Sequence, residues 1–430
     1  MFSVVDNFFH KRKIFICLII SQLLIFLNYY FWLLSGSIDL SYIRITFTIF
    51  IFGICFYSIV EITRYEKFIS IMLIFYIIMC VGSPSFHWDA RSFWLFVSKQ
   101  LFYDQNLNYL IENYNVIHDS NFYPILGPSL GSSIAEVFGE WNEVYPKLFS
   151  IILSIPPLIY LSFFLKNKFS ICIYIAIVLF ILEKSFIIGE MDGIVAVYFT
   201  LCTVLSIQLL QNQNSIKVVL FRKNLNSKLF LLFVFLNFSF LTILKVEAVV
   251  YLFIIILSFY LCTLFRNRNF LIKDFILFIL SFLSFSIWVY FVYSNNVDLK
   301  SHSGVSVLIG NDFINIFIRQ LFDFKNFFII SKYIYLNKPF FIAFSLSIFF
   351  LTFTYSGGKK IMNIEKDILI IVAIIMIFYI MFIYFVFLVT RADLLWQLDV
   401  SAKRVMLPLS FLISYFSLLI FQSNFKKNKF

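Results

Sequence analysis

The sequence predicts an all-α polytopic membrane protein of about twelve transmembrane helices. Three observations predict it: an apolar composition, runs of membrane-spanning length, and basic clusters between those runs that concentrate on one side. Of 430 residues, 61% are hydrophobic and only 13% charged, and 61 are Phe. A soluble domain of that length needs far more polar surface to cover its core. Several apolar runs reach about 20 residues, enough for a helix to cross the hydrocarbon. Lipid offers backbone groups no hydrogen-bond partner, so such runs must be helical.

In chain order, the apolar windows are 14–34, 43–60, 68–83, 146–165, 169–188, 193–210, 229–244, 248–264, 274–293, 338–354, 368–389 and 405–421. The run from Ile14 to Leu34 is too long for a signal-peptide core, and no small-residue cleavage site follows, so it reads as a retained span. The weakest division separates 229–244 from 248–264, where Lys245 and Glu247 alone bring charge into apolar sequence.

Charge counting orients these spans. With the N-terminus in the cytoplasm, the inner segments hold Lys11, Arg12, Lys13, Arg64, Lys67, Lys166 and Lys168, and then the basic clusters of 217–228, 266–273, 359–366 and the tail. That is 20 of 34 basic residues but 6 of 23 acidic ones, leaving about +14 inside and −3 outside, which together give the net +11. An even number of spans with both termini cytoplasmic fits the positive-inside pattern throughout. The same distribution argues against nucleic acid as a partner, because the basic residues lie in short clusters between apolar runs. The six Cys all fall within apolar windows without metal-ligand spacing, and read as small hydrophobes.

Two outer segments are long, 84–145 and 294–337. The first contains two amphipathic stretches, Ser92 to Tyr103 and Leu130 to Phe138, expected to lie in the membrane interface with Trp94 and Phe96 at headgroup depth. No repeat or linker marks a second domain, so 1–430 reads as one integral membrane domain.

Ionisable groups at span edges cost free energy and are functional candidates for that reason. Five outer clusters qualify. Asp89, in Trp88-Asp89-Ala90-Arg91, could act as a general base, or pair with Arg91 or cap the next helix. His118 and Asp119 precede Tyr123-Pro124 and Pro128, a stiff loop that could hold side chains at the surface. Glu190 and Asp192 stand in the tight turn Gly189-Glu190-Met191-Asp192-Gly193 and could orient a cation or a sugar hydroxyl, or be simply solvated. Lys245 and Glu247 could meet a phosphate, or only order the helix turn. Asp399 and Arg404, entering the last span, could bind phosphate or anchor lipid headgroups.

The order and wording of these clusters resemble the GT-C superfamily of integral membrane glycosyltransferases. The closer resemblance is to the bacterial branch related to protein O-mannosyltransferases and lipid-A aminoarabinose transferases. WDARSFWLFVSKQLFYDQ stands where that family opens its first outer loop, so Asp89 matches the family's catalytic aspartate. HDSNFYPILGP matches a His-x-x-x-x-Tyr-Pro-x-x-x-Pro element through His118, Tyr123, Pro124 and Pro128. GEMDGIVAVYF, LKVEAVVYL and SAKRVMLP match the later Asp turn, the Lys-x-Glu step and the final Ser-x-x-Arg. Ala90 stands where members often carry a second acidic residue, and Gln397 and Asp399 where a His is frequent.

The resemblance implies a GT-C-like fold and a transferase of the cell envelope. It implies a polyprenyl-phosphate sugar donor, a glycan, lipid or protein acceptor, and membrane lipids as surroundings. Asp89 would be catalytic, and His118, Tyr123, Glu190, Asp192, Lys245, Glu247, Asp399 and Arg404 would bind substrate at the outer face of a bacterial plasma membrane. No cofactor is assigned. A divalent metal varies across the superfamily and is left open here. Two other classes share parts of the pattern. A surface-polysaccharide polymerase or ligase usually places its large loop later, with paired Arg, whereas 294–337 carries Arg319 alone. A lipid-sugar transporter or flippase would bury polar residues mid-span.

Overall fold

The structure is a computed structural model, and it describes residues 2–35, 38–84, 90–107, 123–182, 185–212, 227–265, 272–295, 323–356, 363–389 and 393–425. Among these the chain is helical, with no strand. It begins with α1 (Phe2–Leu34), α2 (Ser41–Tyr65) and α3 (Lys67–Gly82). The long segment 84–145 contributes a π-helical turn at Ala90–Trp94, then α4 (Leu95–Asp104) and α5 (Leu126–Phe138). The middle of the chain forms α6 (Leu148–Ser162), α7 (Lys168–Ile181), the single turn α8 (Ser185–Ile188) and α9 (Asp192–Asn212). After them come α10 (Ser227–Leu244), α11 (Val246–Phe265) and α12 (Ile272–Ser294). The last four are α13 (Phe324–Leu336), α14 (Lys338–Ser356), α15 (Asn363–Val389) and α16 (Leu394–Phe425).

Seven helices among the described residues are long and apolar enough to cross a membrane: α1, α2, α9, α11, α12, α15 and α16. The count becomes eight if α13 and α14, bent by 69° across Asn337, are one broken span. Shorter apolar helices are α3, α6, α7 and most of α10. Each apolar window of the sequence overlaps one of these helices, although 169–188 runs past the end of α7 at Ile181 and into α8.

Apolar residues face outward as well as inward, which is the mark of a protein solvated by lipid. On α3, Ile71, Ile74, Phe75 and Ile78 are exposed at the spacing of one helical face, while Met72, Leu73 and Tyr76 are buried. The candidate span in α9 is buried along its whole length, whereas that in α15 is only 22% buried. Thus α9 is the centre of the bundle, packed by α6, α10, α11, α15 and α16. Polar side chains in this apolar interior pair with one another. Gln22 and Asn237, both fully buried, exchange amide hydrogen bonds of 2.7 and 3.2 Å that tie α1 to α10.

Helix ends gather at two opposite poles. At one, the Lys11 ammonium lies 4.5 Å over the Tyr65 ring and donates to the Phe163 carbonyl, and Gln422 donates to the Phe164 carbonyl. At the other, Asn28 and Trp32 at the far end of α1 both donate to Ser133 of α5.

The helices of segment 84–145 pack against the rest of the protein. Residues 126–135 of α5 are all buried, so this helix packs inside the protein. Its small side chains allow the close approach: a Cβ at Gly131 would meet the Ser98 Oγ of α4 at 2.7 Å. Trp94, in the π-helical turn before α4, is buried as well. The helix also starts at Leu126, four residues before the amphipathic stretch, because Pro128 is tolerated in a first turn.

Candidate functional site

Three separate parts of the chain meet beside the head of the central helix. Asp192 is the first residue of α9, and Glu247 the second residue of α11. A carboxylate is favoured there because the amides of a first helical turn present partial positive charge. Lys245 is the single non-helical residue between α10 and α11, which pack against each other across that break. The division weakest in the sequence is therefore a one-residue break, and the lysine occupies it. Tyr123 comes from the chain entering α5. The turn before α9 is closed by Gly189, whose φ of +82° suits glycine. Met191 in this turn lies so near α5 that a Cβ at Gly127 would sit 2.9 Å from its sulfur.

The polar contacts are short. Lys245 Nζ donates to Asp192 Oδ1 at 2.8 Å and lies 3.9 Å from Glu247 Oε1. Tyr123 donates its hydroxyl proton to that same Glu247 oxygen at 2.9 Å. The ammonium also stands 5.8 Å from the centre of the Tyr123 ring. The side chains of Lys245 and Asp192 are 15% and 12% exposed, and Glu247 is more open at 37%. Burial works against the charged amine, but Asp192 and then Glu247 outweigh it and hold Lys245 well above its ordinary range. The Tyr123 phenol is likewise pushed well up, first by burial and then by the Glu247 charge. Phe93 and Trp94 flank it with ring centres at 5.5 and 5.8 Å, placed there by the π-helical turn.

A second layer lies beneath. Tyr251 of α11 and Tyr379 of α15 bring their ring centres to 5.0 Å. Tyr379 in turn donates to the Val405 carbonyl at 2.7 Å, one residue beyond Arg404. The buried tyrosine pair therefore joins α11, one turn beyond Glu247, to the α16 segment that carries Arg404. Neither tyrosine stood out in the sequence. Tyr251 had a signal, being one helical turn beyond Glu247 and on the same face, while Tyr379 had none.

The sequence candidates divide as follows. Tyr123, Asp192, Lys245 and Glu247 converge. Glu190 is buried in the same turn, two residues before Asp192, and its amide donates to the Ser185 carbonyl. Asp399 is exposed on α16 and accepts from the Tyr333 hydroxyl at 2.7 Å, outside the four-residue cluster. Arg404 is half-buried farther along α16. Asp89, His118 and Asp119 lie outside the described residues. Ala90, next to Asp89, is buried, and its Cβ is 3.9 Å from where a Gly189 Cβ would stand. Arg91 is 3.7 Å from Glu143 in an exposed pair.

Among the described residues, no group of three or more His, Cys, Asp or Glu is arranged to hold a metal ion. No family model, curated protein or solved structure matches the chain.

Proposed function

We propose that this protein is a membrane glycosyltransferase of GT-C-like architecture. It moves a sugar from a polyprenyl-phosphate donor to a lipid, glycan or protein hydroxyl during cell-surface glycan assembly. The observation that carries this reading is the convergence of Tyr123, Asp192, Lys245 and Glu247. Three motifs picked out by the resemblance thus supply one polar cluster at the edge of an apolar bundle. Twelve crossings follow if the shorter apolar helices and the bent α13–α14 pair each span. Both termini are then cytoplasmic, and the cluster faces the outside of a bacterial plasma membrane.

In the proposed reaction, Asp89 takes the proton of the acceptor hydroxyl. The oxygen then attacks the anomeric carbon, and the bond from that carbon to the phosphate oxygen breaks. Polyprenyl phosphate leaves with the electron pair, and one displacement inverts the anomeric centre. General-base assistance of this kind contributes about a hundredfold to ten-thousandfold. Stabilising the departing phosphate falls to Arg404 more readily than to Lys245, because two carboxylates already engage the lysine.

The test is incubation of the purified protein with a panel of polyprenyl-phosphate sugars, followed by mass analysis for free polyprenyl phosphate. Release with sugar transfer is expected, and Asp89→Asn should abolish it while leaving expression and insertion intact. A fully active Asn variant would remove Asp89 from the mechanism. Movement of labelled lipid-sugar across the membrane without bond cleavage would replace the reading with a flippase.

A further inference from the structure

We infer that the Lys245–Asp192–Glu247–Tyr123 cluster receives hydroxyl groups of the substrate's sugar, with Glu247 as the accepting side chain, and does not bind the phosphate. The inference rests on the glycosyltransferase reading and assigns one part of the substrate to this cluster.

Charge balance is the first argument. One ammonium faces two carboxylates, and the Tyr123 phenol stays neutral because its pKa is raised. Among the described residues the cluster therefore carries a surplus negative charge in a poorly solvated place, where like-charge repulsion is weakly screened. A phosphate entering it would be repelled, whereas a neutral hydrogen-bond donor would not.

The second argument is the use already made of Lys245. Its ammonium donates to Asp192 at 2.8 Å and is held close to Glu247, with the side chain 15% exposed. It acts as the counter-charge that fixes the two carboxylates in place. A lysine free to reach a phosphate would stand as an exposed, mobile point charge.

Glu247 supplies the third. Its Oε1 accepts the Tyr123 proton, and its Oε2 is shielded from water yet accepts no hydrogen bond among the described residues. A shielded carboxylate oxygen without a donor is rare and calls for one. Its side chain is nevertheless the most open of the three charged ones. Because Tyr123 and Lys245 fix the first oxygen, the second is oriented in advance. A sugar hydroxyl provides the neutral donor it lacks.

The experiment uses the full-length protein in lipid nanodiscs and the intrinsic fluorescence of its tryptophans, of which Trp94 lies beside Tyr123. One arm titrates a panel of neutral methyl glycosides and the other inorganic phosphate. At least one glycoside should bind saturably, and Glu247→Gln should weaken it at least tenfold. That variant keeps the shape and an oxygen for Tyr123, and its melting temperature reports whether it folds. Any phosphate response should survive Lys245→Met. The inference is overturned if no glycoside binds, if Glu247→Gln binds it as well as wild type, or if Lys245→Met abolishes phosphate binding.

The outcomes separate from those of the parent reading. Donor cleavage with a KM unchanged in Glu247→Gln leaves the transferase standing and removes this assignment. Glutamate-dependent glycoside binding without cleavage of any donor does the reverse.

Discussion

Arg44 and Glu136 form an ion pair almost wholly removed from solvent, with Nη2 2.8 Å from Oε1 and side-chain exposures of 1% and 4%. The guanidinium lies 3.8 Å over the Trp32 ring and donates to Gln105 Oε1 at 2.6 Å. Gln105 caps α4 in the left-handed region, at φ 55°. One arginine on α2 thereby holds the end of α4, the end of α5 and the end of α1 together. These contacts fix the two helices between which the chain returns at Tyr123.

Removing the arginine should therefore be costly. Arg44→Ala strands a buried carboxylate, a change worth about 3–5 kcal/mol in comparable buried pairs. Thermal melts in detergent should show a large fall, with Arg44→Lys recovering only part, since lysine lacks the planar fork. A melt equal to wild type for the alanine variant would show that the pair does not support α4 and α5.

The Lys245→Met variant should differ from the wild type in how its stability depends on pH. Without the ammonium, Asp192 and Glu247 face each other with no cation, and one carboxyl pKa must rise. A carboxyl raised in the folded state stabilises at low pH, and that contribution disappears as pH rises through its folded value. The deficit in melting temperature relative to wild type should be small near about pH 5 and larger near about pH 8. A constant deficit would mean that the lysine does not compensate the carboxylates.

Tyr123→Phe deletes the donor to Glu247 Oε1 but keeps the ring between Phe93 and Trp94. Because Glu247 is part-exposed, water can replace the lost partner, and the cost should be about 1 kcal/mol of stability. Glycoside binding should fall as well, since the carboxylate loses the contact that orients it. Unchanged binding in a folded variant would place Tyr123 outside the recognition of sugar.

Reporter fusions at the two ends test the proposed topology. A reporter active only in the cytoplasm should work at both Met1 and Phe430, and one active only outside should work at neither. Opposite sides for the two termini would exclude an even number of spans.

How much of this was legible beforehand follows from the physics of each feature. The sequence by itself determined the helices, because a lipid surround forces every long apolar run to satisfy its own backbone. It also determined which span edges deserve suspicion, since charge is expensive there, and Lys245, Glu247 and Asp192 were visible on that ground. Tertiary structure decided which of these meet. Tyr123 and Glu247 are separated by 124 positions, so no periodicity relates them. The buried state of α5 was likewise invisible, because a helix rich in Gly, Ser and Ala reads alike whether it lies on a membrane or is packed on all sides. Arg44 gave no signal either. It sits at the start of an apolar window, where a lone arginine reads as a headgroup anchor until Glu136, 92 positions later, is brought against it. For Lys245, the residue where apolar sequence first broke, the structure added the decisive term. Its two carboxylate partners lie within 4 Å, and their charge changes what the lysine can bind.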